Sequence, residues 1–131
     1  MNPIFGGAPV PNVELTPRNC VLRISSGPAA GKDFRVDRVR VLIGRAVPPL
    51  VAVDFDLNGC ETEPSVSRRH AELQWIDGGL HVVDLCSANG TTVDGQKLRC
   101  PANCPSDPHP LRAGSKLKFG ALEAEVVRDD Q

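Results

Sequence analysis

His70-Ala71-Glu72-Leu73-Gln74-Trp75-Ile76-Asp77-Gly78-Gly79-Leu80-His81-Val82-Val83-Asp84-Leu85 decides the fold class of this chain. The runs His70–Trp75 and Leu80–Leu85 alternate apolar and polar residues with period two, as half-buried strands do. Between them, Asp77-Gly78-Gly79 supplies residues that tolerate the positive φ of a tight hairpin turn. The stretch therefore predicts an antiparallel hairpin.

The same texture extends in both directions. Upstream, Cys20, Leu22 and Ile24 face one way against Val21, Arg23 and Ser25, and Gly27-Pro28 ends the run. Strand-like runs recur at Asp33–Val36, Arg40–Ile43, Gly90–Val93, Lys116–Phe119 and Ala121–Val127, separated by Gly44, Asn58-Gly59, Asn89-Gly90, Asp94-Gly95, Gly114 and Gly120. None holds a helical period, and no internal repeat is visible. Many short strands with no helices between them predict an all-β antiparallel sandwich, in which each sheet buries one face. Two segments break the pattern and read as long loops: Arg45 to Ser67, with only a strand-like piece at Val53–Leu57, and the proline-rich Cys100–Pro110. Residues 1–18 carry prolines and paired glycines without periodicity, which predicts a flexible tail, a domain over 19–128 and a short C-terminal tail at 129–131.

Composition narrows the class of function. The 131 residues suit one domain, and 12 Gly with 12 Pro fit a turn-rich β protein. A formal charge of −1 excludes a global positive field for nucleic acid or an anionic membrane, so any anion site has to be local. No apolar run has the length of a membrane span, and the N-terminus lacks the basic start and apolar core of an export signal. The expected location is cytoplasmic, or nuclear in a eukaryote, and five cysteines in that setting read as reduced thiols.

Three segments at strand ends carry the chemistry: Gly44-Arg45, Ser67-Arg68-Arg69-His70 and Ser87-Ala88-Asn89-Gly90-Thr91. Loops at one end of a sandwich converge on a common surface. An arginine fork, a hydroxyl and loop N–H groups together suit phosphate, while an asparagine amide both donates and accepts and so suits a peptide backbone.

In these residues the sequence resembles the forkhead-associated (FHA) family, whose motifs run Gly-Arg, Ser-x-x-His and Asn-Gly in that order. The likeness continues through Asp84-Leu85-Cys86, Val93-Asp94-Gly95 and Leu111-Arg112-Ala113-Gly114-Ser115, covering about residues 20 to 128. It implies an FHA/SMAD-like sandwich of about eleven strands with long loops at one end, loops being where such scaffolds carry binding residues. It also implies a phosphothreonine-dependent peptide-binding module of Ser/Thr kinase signalling, with no catalysis and no cofactor. Arg45 and Ser67 match phosphate-contacting positions, Arg68 a further phosphate contact, and Asn89 the residue holding the ligand backbone. Gly44, His70 and Gly90 match loop-shaping positions. The implied partner is a phosphothreonine-containing protein, such as a Ser/Thr kinase or its substrate. The rival reading is an FHA-like assembly domain that binds without phosphate. Ala88 departs from the members that place a hydroxyl before the asparagine.

Other residues invite other stories. Ser67, His70 and Asp84 include the residue types of a catalytic triad, yet no Gly-x-Ser-x-Gly elbow is present. Cys100, Cys104 and His109 supply three of the four ligands of a closed zinc site, and the expectation is that none is held there. Trp75 reads as core or half-buried. Thr16-Pro17 offers a phosphorylation site whose product could occupy the molecule's own site or a neighbour's.

Overall fold

The computed structural model describes residues 14–130. Its strands are β1 (Cys20–Ile24), β2 (Asp33–Arg35), β3 (Arg40–Gly44), β4 (Phe55–Asp56), β5 (Arg69–Ile76), β6 (Gly79–Asp84), β7 (Thr91–Val93), β8 (Gln96–Lys97), β9 (His109–Pro110), β10 (Lys116–Phe119) and β11 (Leu122–Arg128). They form a five-stranded sheet in the order β9-β6-β5-β3-β4 and a six-stranded sheet in the order β2-β1-β11-β10-β7-β8. The only helical piece among the described residues is a 3-10 turn at Pro101–Asn103. The expected sandwich of eleven strands is the fold found.

Alternation builds the core. In β10, Leu117 and Phe119 are buried while Lys116 and Lys118 are exposed, and in β11 Leu122, Ala124 and Val126 point inward. Facing them from the other sheet are Val41, Ile43, Ala71, Leu73, Leu80 and Val82, all part of one apolar cluster. Burying a side chain of this kind contributes about 1.5–3 kcal/mol, so the two inner faces hold the sheets together. Val21, expected on the open face of β1, is fully buried as well. Trp75 packs half-buried against the core, and its ring N–H donates to Val36 O at 3.2 Å.

The predicted β5–β6 hairpin forms, with Ile76 opposite Gly79. Its turn is Asp77-Gly78, at φ 49° and 82°, and Gly79 already belongs to the strand. A second turn of this kind, Asp94-Gly95 at φ 47° and 86°, returns the chain into β8. That strand and β9 were not expected, because two-residue pieces leave no periodicity. The β3–β4 pair is parallel, the one departure from antiparallel pairing among the described residues, and Val53–Leu57 contributes only Phe55–Asp56 to it.

The N-terminal boundary lies earlier than expected. Leu15 joins the core cluster, and Asp129 N–H bonds to Asn19 O at 2.7 Å, so chain assigned to both tails packs on the domain. Val13 and Leu15 alternate about Glu14, but Pro11 and Pro17 bracket them too closely for a strand signal, which is why Leu15 reads as tail. The remainder of the proposed N-terminal tail, residues 1–13, lies outside the described residues.

Strand direction sorts the loops. β3 ends, β5 begins, β6 ends and β7 begins at one end of the sandwich, where Gly120 N–H also bonds to Gly90 O at 2.9 Å. Both long segments gather there, since Ser106 exchanges hydrogen bonds with the backbone of Asp84. The β5–β6 hairpin turn and Asn19 lie at the other end.

Candidate functional site

A β-bulge starts the site. Ile43 pairs with Ala71 but Gly44 pairs with Arg69, so the register slips beside His70. Arg45 N–H then bonds to Arg68 O at 3.0 Å, and a Cβ on Gly44 would lie 1.9 Å from that same oxygen. Glycine is required because the backbone of Arg68 occupies the space of a side chain. Arg45 Nε donates to Val66 O at 2.6 Å, which fixes the stem and leaves its terminal Nη groups without protein partners among the described residues.

His70 is fully buried and ties three segments together. Its Nδ1 accepts the Ser67 N–H at 3.0 Å, which leaves the proton on Nε2 for donation to Gly90 O at 2.9 Å. Burial lowers the imidazole pKa from 6.5, outweighing the opposite pull of the Gly90 carbonyl and Asp84. The ring is neutral and structural. Its nearer contact to Ser67 is through the backbone and not Oγ, and Asp84 Oδ1 stands 4.0 Å from Nε2, so Ser67, His70 and Asp84 do not assemble as a triad.

Ser67 Oγ accepts the Ala88 N–H at 3.0 Å, keeping the hydroxyl proton for another acceptor. Asn89 Nδ2 donates to Ser65 O at 2.8 Å, and its side-chain oxygen has no partner among the described residues. Arg68 is exposed beside Arg45, as is Arg69, and no salt bridge among the described residues engages any of the three. The structure thus brings Arg45, Ser67, Arg68 and Asn89 to one end, joined through segment 65–68. Gly90, at φ 84°, leaves room for the Lys97 side chain, whose Cε would lie 2.4 Å from a Cβ there.

The supports were not legible as such. Glu61 accepts the N–H groups of Ser65 and Val66 and the Ser65 hydroxyl, shaping the segment that receives Arg45 and Asn89. Asp84 accepts Ser87 Oγ–H and Thr91 Oγ1–H, both at 2.6 Å, and Ser87 Oγ in turn accepts the Gly90 N–H at 3.0 Å. Burial pushes the Asp84 carboxyl up, but bonds from Cys100, Ser87 and Thr91 outweigh it and hold the group below 3.8. The one available signal was an acidic residue ending an apolar strand. Among the described residues no group of three or more His, Cys, Asp or Glu side chains is placed to hold a metal ion.

A two-sheet sandwich with a cationic, hydroxyl- and amide-lined loop cluster at one end belongs to the β scaffolds that present polar side chains on converging loops. The chain belongs to the FHA domain family, whose sequence model matches residues 41–120. It is 31% identical over 107 residues to the oxoglutarate dehydrogenase inhibitor of Corynebacterium diphtheriae, covering 82% of this chain and 64% of that protein. It is 30% identical over 106 residues to the glycogen accumulation regulator GarA of Mycobacterium tuberculosis, covering 81% and 56%. The chain thus spans less than two thirds of these relatives. Among solved structures it resembles the FHA domain of the CT664 protein of Chlamydia trachomatis, with a TM-score of 0.63 at 25% identity, covering 83% and 96% of the two chains. It also resembles an FHA domain described for its phosphothreonine-dependent interactions, with a TM-score of 0.62 at 26% identity, covering 86% and 99%.

Proposed function

We propose that this domain binds phosphothreonine-containing segments of partner proteins and catalyses no reaction. The observation that carries the reading is the convergence of Arg45, Ser67, Arg68 and Asn89 on segment 65–68. A phosphate at neutral pH brings about two negative charges and three acceptor oxygens. The free Nη groups of Arg45, the Ser67 hydroxyl and the Arg68 guanidinium are the donors that meet them, by charge-assisted bonds. The free oxygen of Asn89 takes a backbone N–H of the bound segment. The partner is a Ser/Thr kinase or one of its substrates, and the names of the relatives, an inhibitor and a regulator, accord with control by binding. A cytoplasmic location belongs to the same proposal; no helix among the described residues is long and apolar enough to cross a membrane.

Calorimetric titration with one peptide in three forms, carrying phosphothreonine, phosphoserine or threonine, tests the reading. Binding is expected for the first, weaker binding for the second and none for the third. Equal affinity for the phosphorylated and unphosphorylated threonine peptides would replace it with phosphate-independent assembly.

A further inference from the structure

The five cysteines are free thiols that divide into two sets. Cys20 and Cys60 are buried in the core, whereas Cys86 and Cys104 are exposed and Cys100 is half-buried. The last three come from two loops at the site end of the sandwich and meet beside Asp84. Cys86 Sγ donates to Cys104 O at 2.9 Å. Cys100 Sγ donates to Asp84 Oδ2 at 2.9 Å and lies 3.7 Å from Asp84 O, in the stretch of backbone that leads into Cys86. Thiols from two loops thus gather, Cys86 open to solvent, around the carboxylate that organises the Asn89 loop.

We propose that Cys86 and Cys100 form a thiol oxidation site, at which a hydroperoxide converts the pair to a disulfide and thereby weakens the adjacent ligand site. The Cys86 thiolate attacks the peroxide O–O bond, taking one oxygen as sulfenic acid and releasing water or an alcohol. The Cys100 sulfur then attacks Cys86, the S–S bond forms as the S–O bond breaks, and the Cys100 proton leaves with the departing hydroxide as a second water. Two thiols and one hydroperoxide give one disulfide; the sulfurs lose two electrons and the peroxide gains them. Exposure assigns the first step to Cys86. Burial and the bond to Asp84 hold the Cys100 thiol protonated, with its pKa pushed up to about 11, so it leaves the first attack to Cys86 and turns nucleophile only as the departing hydroxide takes its proton.

The coupling runs through Asp84. Oxidation removes the thiol donor from Oδ2 of the carboxylate that positions Ser87 and Thr91, on either side of Asn89. Only this consequence rests on the proposed binding function; the disulfide does not.

The full chain, reduced and then exposed to a few equivalents of hydrogen peroxide, is alkylated and digested without reductant. Mass spectrometry is expected to find the Cys86 and Cys100 peptides linked, reversibly by dithiothreitol, with Cys20 and Cys60 still free. In Cys100→Ser, Cys86 should instead accumulate as a dimedone-trappable sulfenic acid. A Cys86–Cys104 link, or Cys86 over-oxidised in the wild type while Cys100 stays alkylatable, would overturn the pairing. Oxidised wild type should bind the phosphothreonine peptide about tenfold more weakly, the scale of one hydrogen bond to a charged group, and Cys86→Ser should be indifferent to peroxide. Undiminished affinity of the oxidised protein would overturn the coupling. Failure of the reduced protein to bind any phosphopeptide would remove the binding function, while the mass measurement would still decide the disulfide.

Discussion

The buried imidazole of His70 accepts the backbone N–H of Ser67 at 3.0 Å, so the ring that supports the candidate phosphate site does so only while neutral. A proton on Nδ1 would turn the acceptor into a donor facing a donor. Burial depresses the folded pKa below 6.5, and as pH falls through 6.5 the unfolded chain takes up a proton that the folded chain refuses. Stability is therefore fully present above 6.5, falls below it, and levels off beneath the folded value. Urea unfolding from pH 7.5 to pH 5 should show this decline. His70→Ala should flatten it, while costing about 2–4 kcal/mol at neutral pH by leaving the Ser67 N–H unpaired and a cavity where the buried ring stood, although Gly90 O keeps its bond from Gly120 N–H.

Gly44→Ala is expected to be among the most damaging single-methyl changes in the chain. The new Cβ would fall 1.9 Å from Arg68 O and 2.7 Å from Arg68 C, both backbone atoms that cannot rotate away. Either the bulge opens or Arg45 moves with it. A loss of about 3 kcal/mol by denaturant unfolding, with loss of phosphopeptide binding, is expected; unchanged stability would show that the β3–β5 bulge adapts freely.

Arg45→Ala should cost about 2–4 kcal/mol of phosphopeptide affinity by removing charge-assisted donors. Arg45→Lys should recover only part, because lysine keeps the charge but lacks the fork and the Nε bond to Val66 O. Asn89→Ala should also weaken binding, with a loss that varies less with salt than that of Arg45→Ala. Calorimetry on folded variants at two ionic strengths separates these effects, and wild-type affinity for Arg45→Ala would move the site elsewhere.

Phosphorylation of Thr16 is expected to leave the same molecule's site open. Thr16 N–H bonds to Asn19 Oδ1 at 2.8 Å and Leu15 is buried in the core, which pins this residue at the end opposite Ser67 and Asn89. Of the two possibilities raised by Thr16-Pro17, only occupancy of a neighbour's site fits the geometry. Peptide affinity measured in dilute solution should change less than about twofold on phosphorylation, since no tethered ligand competes. A large loss in the monomer would show that Leu15 releases the segment.

What the amino-acid order settled was everything governed by local chemistry. Period-two alternation in Lys116–Phe119 and around Asp77-Gly78 specified strands and their inward faces, because a pleated strand turns successive side chains to opposite sides. The ordered motifs at Gly44-Arg45, Ser67–His70 and Asn89-Gly90 likewise named the candidate site, which the fold gathers at one end. Tertiary structure alone decided what depends on partners distant in the chain. That Arg45 leans on Val66, that Asn89 is held by Ser65, and that Leu15 completes the core follow from sheets closing on one another. The parallel β3–β4 pair and the two-residue strands β8 and β9 are fixed by their neighbours, since pieces that short have no period of their own. The gathering of Cys86, Cys100 and Cys104 beside Asp84 belongs to the same class: side-chain contacts between loops have no sequence period, and only packing brings them together.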